Sequence, residues 1–184
     1  MSKTVFILGA GASKGAGAPL MKEFLDKADE LRRTNKLDNF QEDFNRVFDA
    51  ISNLQSVHSK AELDLDNIES VFAAFDMACL IKKMPHTNDV AEIIALSDSL
   101  KKVILKTLER MIEYPVHDGR YVRPPACYQR FIELLQDINR NTGQINTAVI
   151  TFNYDIALDY AFNANSWPVD YGLDRKFLRH HPLI

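Results

Sequence analysis

Two short stretches of this chain contain residue types that could do chemistry. The first is a glycine-rich turn with Gly9, Gly11 and Gly17, which follows the apolar run 4–8 and leads to Pro19. Glycines in such a turn let a bulky ligand approach the main chain, and the amides at the start of a following helix carry partial positive charge. This pattern predicts a binding site for a pyrophosphate.

The second stretch follows the apolar, β-rich run 147–152 and contains Thr151, Asn153 and Asp155. An asparagine amide both donates and accepts hydrogen bonds, so Asn153 suits the positioning of a ligand or a water molecule. Structural roles are also open at this stage. Asp155 stands where the N-cap of the next predicted helix should be, and Asn153 could simply turn the chain.

The elements that must position these residues are two strands of a parallel sheet. The run 4–8 is almost wholly apolar, which predicts a strand buried on both faces, and the run 147–152 predicts a second strand of the same kind. In open parallel sheets the ligand site lies beyond the carboxyl ends of the strands. We therefore expect the two polar turns to face one cavity.

Between the two strands the sequence is mostly helical in pattern. A first helix is predicted to open at Pro19, and helices follow over 38–57, from Asp66 as N-cap, over about 88–113, and up to Gly143, with a loop over 114–125. The predicted fold class is α/β, a small Rossmann-like parallel sheet with a large helical insertion at about 38–141. We expect residues 1–184 to form a single domain.

Several functional classes are disfavoured by the sequence. Lys14 stands where the usual dinucleotide fingerprint needs glycine, and no second strand ending in an acid follows, which argues against an ordinary NAD-dependent dehydrogenase. The net charge of -3 gives no case for nucleic acid. No apolar run reaches the ~18 residues of a spanning helix and no signal peptide is evident, so we expect no membrane association and a cytoplasmic location. Cys79 and Cys127 fit reduced core thiols.

In order and context, the two motifs resemble the SIR2-like domain, the sirtuin-type NAD-binding domain found in many bacterial anti-phage defence proteins. The stretch Gly9-Ala10-Gly11-Ala12-Ser13, with Gly17 and Pro19, is similar to the G-A-G-x-S phosphate and ribose loop of that family. The stretch 151–155 resembles its T-x-N-x-D motif. The acidic helix start 66–69 and the stretch 169–172 resemble further family features, the latter preceding the strand that delivers the catalytic histidine.

The resemblance implies that NAD is the substrate, hydrolysed to nicotinamide and ADP-ribose without a metal. Asn153 would hold a ribose hydroxyl and orient the attacking water, Asp155 would contact the carboxamide or stabilise positive charge, and His181 would accept a proton. The residues that it assigns to NAD binding are Gly9, Ala10, Gly11, Ala12, Ser13, Gly17, Pro19, Thr151, Asn153 and Asp155.

Two departures from the family pattern matter. The four-cysteine zinc module of protein-deacylating sirtuins has no counterpart, which favours the NAD-hydrolysing branch over a deacylase. The sequence also lacks the His-Gly pair of the family. We expect the chain to be the N-terminal part of a longer protein, with the histidine strand in the part that follows. The other explanation is that His180 or His181 takes the place of the family's catalytic histidine.

The resemblance also implies a biological setting. The expected role is that of an NAD-depleting effector in anti-phage defence, as a homo-oligomer or with a fused or partner sensor domain. The alternative from a different class is a sensor module that binds NAD or ADP-ribose without cleaving it.

Overall fold

In a computed structural model, the described part of the protein covers residues 4–34, 37–57, 64–117, 119, 121–143 and 147–172. Its elements, in chain order, are β1 (Thr4–Leu8), α1 (Gly11–Lys14), α2 (Phe24–Arg33), a 3-10 turn (Asp38–Phe40), α3 (Gln41–Val57), α4 (Ile68–Ile81), α5 (Val90–Met111), β2 (Val116–His117), β3 (Tyr121–Val122), α6 (Ala126–Thr142), β4 (Thr147–Thr151) and α7 (Ala157–Ala164). The described chain is mixed α/β. It divides into two compact units, Met1–Glu113 with Asn146–Asp155 and Tyr114–Ile145 with Ile156–Ile184.

The first unit contains a small parallel sheet, in which β1 and β4 pair from Thr4 opposite Thr147 to Leu8 opposite Thr151. Both predicted strands are therefore confirmed, and β4 ends one residue earlier than expected. Because the strands are parallel and in register, their carboxyl ends lie at the same edge of the sheet. The segments that carry the two motifs both begin there.

The prediction that these strands are buried on both faces is wrong for the described structure. Val5 is 54% exposed, Ile7 68% and Ile150 46%. Paired residues of neighbouring strands point to the same face, so these side chains form one uncovered apolar face, while Phe6 and Val149 on the other face are half-buried. An apolar strand is buried on both faces only where other elements cover both.

The helices of the first unit pack around α5, which contacts α2, α3 and α4. Their apolar stripes supply a core whose most completely buried members include Phe44, Val47, Val71, Phe75, Ile93, Leu100 and Val103. The predicted helices over 38–57 and 88–113 are confirmed, with the 3-10 turn forming the start of the first. The three- and four-residue spacing of apolar residues predicts these elements because it places them on one helix face.

Two predicted helix starts need correction. The helix expected from Asp66 begins at Ile68, because Asn67 is the N-cap and its side-chain oxygen accepts from the Glu69 amide at 2.9 Å. The helix expected to open at Pro19 begins only at Phe24. A turn precedes it, in which the Glu23 carboxylate accepts from the Leu20 amide at 3.3 Å.

In the second unit, α6 packs against α7. The helix α6 ends as predicted, with Gly143 in the left-handed conformation (φ 66°) and its amide bonded to the Asn139 carbonyl. The segment 114–125, predicted to be a loop, contains the short antiparallel hairpin of β2 and β3. Two-residue strands carry too few residues to show an alternating pattern in sequence.

Candidate functional site

The carboxyl ends of β1 and β4 bring the two sequence motifs together. Beyond the last register pair, the Phe152 amide still donates to the Leu8 carbonyl at 3.0 Å. The chain then leaves β4 in a turn in which the Asn153 amide donates to the Thr151 hydroxyl at 3.1 Å. The Thr151 hydroxyl therefore stabilises the turn that positions Asn153.

The glycine-rich segment after β1 folds into a tight turn and the single-turn helix α1. The Ala12 amide donates to the Gly9 carbonyl at 2.9 Å, and the Ser13 amide donates to the Ala10 carbonyl at 3.2 Å. One of the amides that the resemblance assigns to ligand binding, that of Ala12, is thus used inside the turn. Among the described residues, the amides of Ala10 and Gly11 have no hydrogen-bond partner. A four-residue helix also adds little dipole, so the turn itself must provide any anion binding.

The glycines of this segment differ in their backbone conformation and in the space around their Cα atoms. Gly17 has φ 94°, and a Cβ there would collide with the Met111 carbonyl oxygen, so the fold requires glycine at this position. Gly9 and Gly11 have no left-handed backbone, and a Cβ on either would meet no atom of the described structure within 4 Å. Their backbones face open space, where a ligand could approach closely.

Ser13 links the two motifs directly. Its hydroxyl donates to the Asp155 carboxylate at 2.6 Å and accepts from the Asn153 side-chain amide at 2.8 Å. Ser13 is only 1% exposed, whereas Asn153 and Asp155 are half-buried. Three of the four polar residues that the sequence singled out in these motifs therefore form one cluster at the carboxyl edge of the sheet.

The rest of the glycine-rich turn, up to Pro19, is held by contacts with the fold. Pro19 is buried, and the Ala18 amide just before it donates to the Ser13 carbonyl at 3.1 Å. The Glu113 amide donates to the Ala16 carbonyl at 2.8 Å, which ties the turn to the residues after α5. These contacts hold the segment that contains Ser13 in place.

Two exposed aromatic residues flank Asn153 and were not among the predicted site residues. Phe152 is 71% exposed and Tyr154 is 60% exposed. Sequence patterning assigned Phe152 to the buried strand, since an aromatic residue after an apolar run is typical of a core. Their exposure beside a polar cluster is the signal that only the structure supplies.

Asp155 was also interpreted as a helix cap. The N-cap residue of α7 is Ile156, one position later, and the Asp155 carboxylate accepts the Ser13 hydroxyl. The third predicted catalytic residue, His181, lies outside the described residues, as does His180.

The stretch 169–172 lies in the second unit. The Tyr171 hydroxyl donates to Asp159 of α7 at 2.5 Å, and the Gly172 amide donates to Asp170 at 2.9 Å. The hydrogen bond to Asp159, together with burial and the negative charge of Asp159, raises the pKa of Tyr171 to about 12. This contact anchors the stretch to α7.

A concave region of about 370 Å³ lies elsewhere in the first unit, between one face of α3 and the turn 84–87, and it includes none of the motif residues. Four of its charged and polar groups pair with one another: Arg46 with Glu42 at 3.1 Å, and the Thr87 hydroxyl with Glu92 at 2.6 Å.

The described residues contain no group of three or more His, Cys, Asp or Glu side chains that could hold a metal ion. Nor does any helix in the described ranges have the length and apolar character needed to cross a bilayer. Cys79 and Cys127 are half-buried and not disulfide-bonded.

Sequence comparison with known families and curated proteins adds no relative. No protein-family model matches the chain, and no curated protein matches it significantly in sequence. Any functional conclusion therefore depends on the two motifs and on the geometry in which they meet.

Proposed function

We propose that this protein is a SIR2-like NAD hydrolase with a Rossmann-like sheet, and that it releases nicotinamide and ADP-ribose. The observation that carries the proposal is the hydrogen-bonded cluster of Ser13, Asn153 and Asp155 at the shared carboxyl edge of two parallel strands. Two motifs 140 residues apart that resemble one family's NAD-binding signatures meet where parallel sheets bind their ligands.

The described residues fit the parts of NAD that they would have to hold. The open backbone at Gly9 and Gly11 lets a pyrophosphate approach, and the Ala10 and Gly11 amides supply donors for it. Phe152 and Tyr154 offer exposed rings on which an aromatic group could stack. Half-buried Asn153 and Asp155 are their neighbours in the chain.

Cleavage of the nicotinamide–ribose bond passes through an oxocarbenium-like state with a good leaving group. The protein therefore contributes mainly by positioning and by stabilising positive charge. The Asp155 carboxylate would supply negative charge close to the developing cation, and Asn153 would orient the water that attacks the ribose. In this proposal His181 accepts a proton from that water or from a ribose hydroxyl.

The proposal also gives the reaction a cellular role, as an NAD-depleting effector of anti-phage defence acting in the cytoplasm with a sensor domain or as a homo-oligomer. What supports this role is the resemblance of the two motifs alone. If the protein does not cleave NAD, this role is excluded as well.

The test is chromatographic analysis of NAD incubated with the purified protein, combined with calorimetric titration of NAD and ADP-ribose. We expect nicotinamide and ADP-ribose in equal amounts. Binding without product would indicate a ligand-binding sensor instead of a hydrolase. Product formed only in the presence of an acyl-lysine peptide would indicate a deacylase. A protein that neither binds NAD or ADP-ribose nor forms product would contradict the proposal altogether.

A further inference from the structure

Ser13 has a different environment from the other motif residues. The resemblance assigns it to ribose and phosphate binding, but its side chain is almost completely buried and is bonded to two other motif residues. A side chain with 1% of its surface exposed has little to offer a ligand. Its contacts are with the two residues that would act on the substrate.

The direction of its hydrogen bonds is fixed by chemistry. A carboxylate only accepts hydrogen bonds, so the single hydroxyl proton of Ser13 must point to Asp155. The oxygen of Ser13 therefore accepts the hydrogen bond from Asn153, and the Asn153 side chain must donate through its amide N–H. An asparagine side chain has its amide nitrogen and its carbonyl oxygen on opposite arms, so this bond determines which arm faces Ser13.

We infer that Ser13 is a positioning residue: it uses the negative charge of Asp155 to hold the Asn153 amide in one of its two flipped orientations, with the nitrogen toward Ser13 and the carbonyl oxygen away from it. This inference rests on the proposed function for its catalytic meaning. In that reaction the carbonyl oxygen of Asn153, which is buried in the described structure, is the atom that would accept from a ribose hydroxyl or a water molecule once a ligand is bound. The serine itself does not contact the substrate.

The chain contains a matched control for this inference. Ser99 on α5 is also 1% exposed, donates to a carboxylate (Asp43, 2.8 Å) and accepts from a nitrogen donor (Arg46, 2.9 Å). Ser99→Ala should therefore cause a loss of stability similar to that of Ser13→Ala, without any effect on Asn153. Ser13→Cys is a second variant at the site itself, because it replaces only the hydroxyl oxygen, by a larger sulfur that is a weak hydrogen-bond donor and acceptor.

The first readout is the pair of side-chain amide signals of Asn153 in a ¹H–¹⁵N NMR spectrum, assigned by their loss in Asn153→Asp. We expect these signals to shift in Ser13→Ala and in Ser13→Cys but not in Ser99→Ala. Unchanged Asn153 signals in both Ser13 variants would overturn the positioning role, whether or not the wild-type protein cleaves NAD.

The second readout is steady-state kinetics of nicotinamide release. A positioning role predicts that kcat falls about 10- to 100-fold in both Ser13 variants while KM for NAD changes less than about threefold, because misplacement of a reacting group affects mainly the chemical step. A KM that rises while kcat stays constant would show that Ser13 binds the substrate directly, and would overturn the inference. Absence of turnover in the wild type would contradict the proposed function instead, and the NMR result would still decide the role of Ser13.

Discussion

Two buried serines in the first unit share one hydrogen-bond arrangement in two different settings. At the edge of the sheet, Ser13 donates to Asp155 and accepts from a neutral asparagine amide. In the helical layer, Ser99 donates to Asp43 and accepts from a guanidinium. The chemistry of the serine is the same, so the difference lies in what surrounds the carboxylate.

The helical cluster is closed. Asp43 is 8% exposed and also accepts from Lys102 at 3.0 and 3.2 Å, between two long, regular helices. The strand-end cluster lies in the single-turn helix α1 and in the irregular turn after β4, and Asn153 and Asp155 are half-buried beside exposed aromatic rings. A cluster closed by cations stabilises the fold, whereas a cluster of half-buried residues next to exposed aromatic rings can also meet a ligand. We therefore expect the helical cluster to contribute mainly to stability and the strand-end cluster to contribute to ligand binding.

The largest effect on stability should come from the helical cluster. Asp43→Ala leaves Ser99 and Lys102 without their shared acceptor in a largely buried position and removes an ion-pair partner of Arg46, and we expect the free energy of unfolding to fall by about 3 kcal/mol. Urea denaturation measures this change. Affinity for NAD in the folded protein should be unchanged; a loss below about 1 kcal/mol, or a loss of affinity at full stability, would remove the distinction between the two clusters.

Gly17→Ala should be next in size. The substitution forces a left-handed φ on a residue with a Cβ and creates a collision with the Met111 carbonyl, so we expect a loss of about 2 kcal/mol. The thermal midpoint of unfolding should fall accordingly. An equally stable variant would mean that the turn does not approach the end of α5 as closely as the structure shows.

Gly11→Ala is the matched change within the same turn. Nothing obstructs a Cβ there and the residue begins α1, so stability should change by less than about 1 kcal/mol and could rise. If a ligand approaches this backbone, its affinity should nevertheless fall about tenfold. Calorimetric titration with ADP-ribose checks this, and unchanged affinity would argue against the turn as the phosphate-binding element.

The smallest effect should come from a third hydroxyl–carboxylate pair, Tyr171 with Asp159, because Tyr171 is 62% exposed. The folded state holds the Tyr171 proton more tightly than the unfolded state, whose pKa is 10.0. The contribution of this pair is therefore complete below about pH 10 and is lost as the pH rises toward about 12. Tyr171→Phe should reduce the pH dependence of stability in this range; an identical dependence would show that the pair contributes nothing.

Much of the scaffold could be predicted from the sequence. Runs of apolar residues predicted both parallel strands, and three- and four-residue spacing predicted the helices α3, α5 and α6. The rule that parallel strands share a carboxyl edge predicted that the two motifs would meet. These features depend on local pattern and on general topology, which a sequence contains.

Other features depend on contacts that no local pattern encodes. The roles of Ser13 and Ser99 arise from hydrogen bonds to residues 142 and 56 positions away. The exposure of Ile7 and Phe152 depends on which elements cover the sheet, and their apolar character alone predicted burial. The start of α4 shifted by a residue because Asp66 and Asn67 are both good caps and local geometry chose the second.

The most direct measurement of the central claim is nicotinamide release from NAD by the wild-type protein, by Asn153→Ala and by Ser99→Ala under identical conditions. We expect release by the wild type, its loss by at least about 100-fold in Asn153→Ala, and its retention in folded Ser99→Ala. This result would assign the reaction to the strand-end cluster. Equal release by all three proteins would contradict that assignment, and so would a loss in Ser99→Ala that matches the loss in Asn153→Ala.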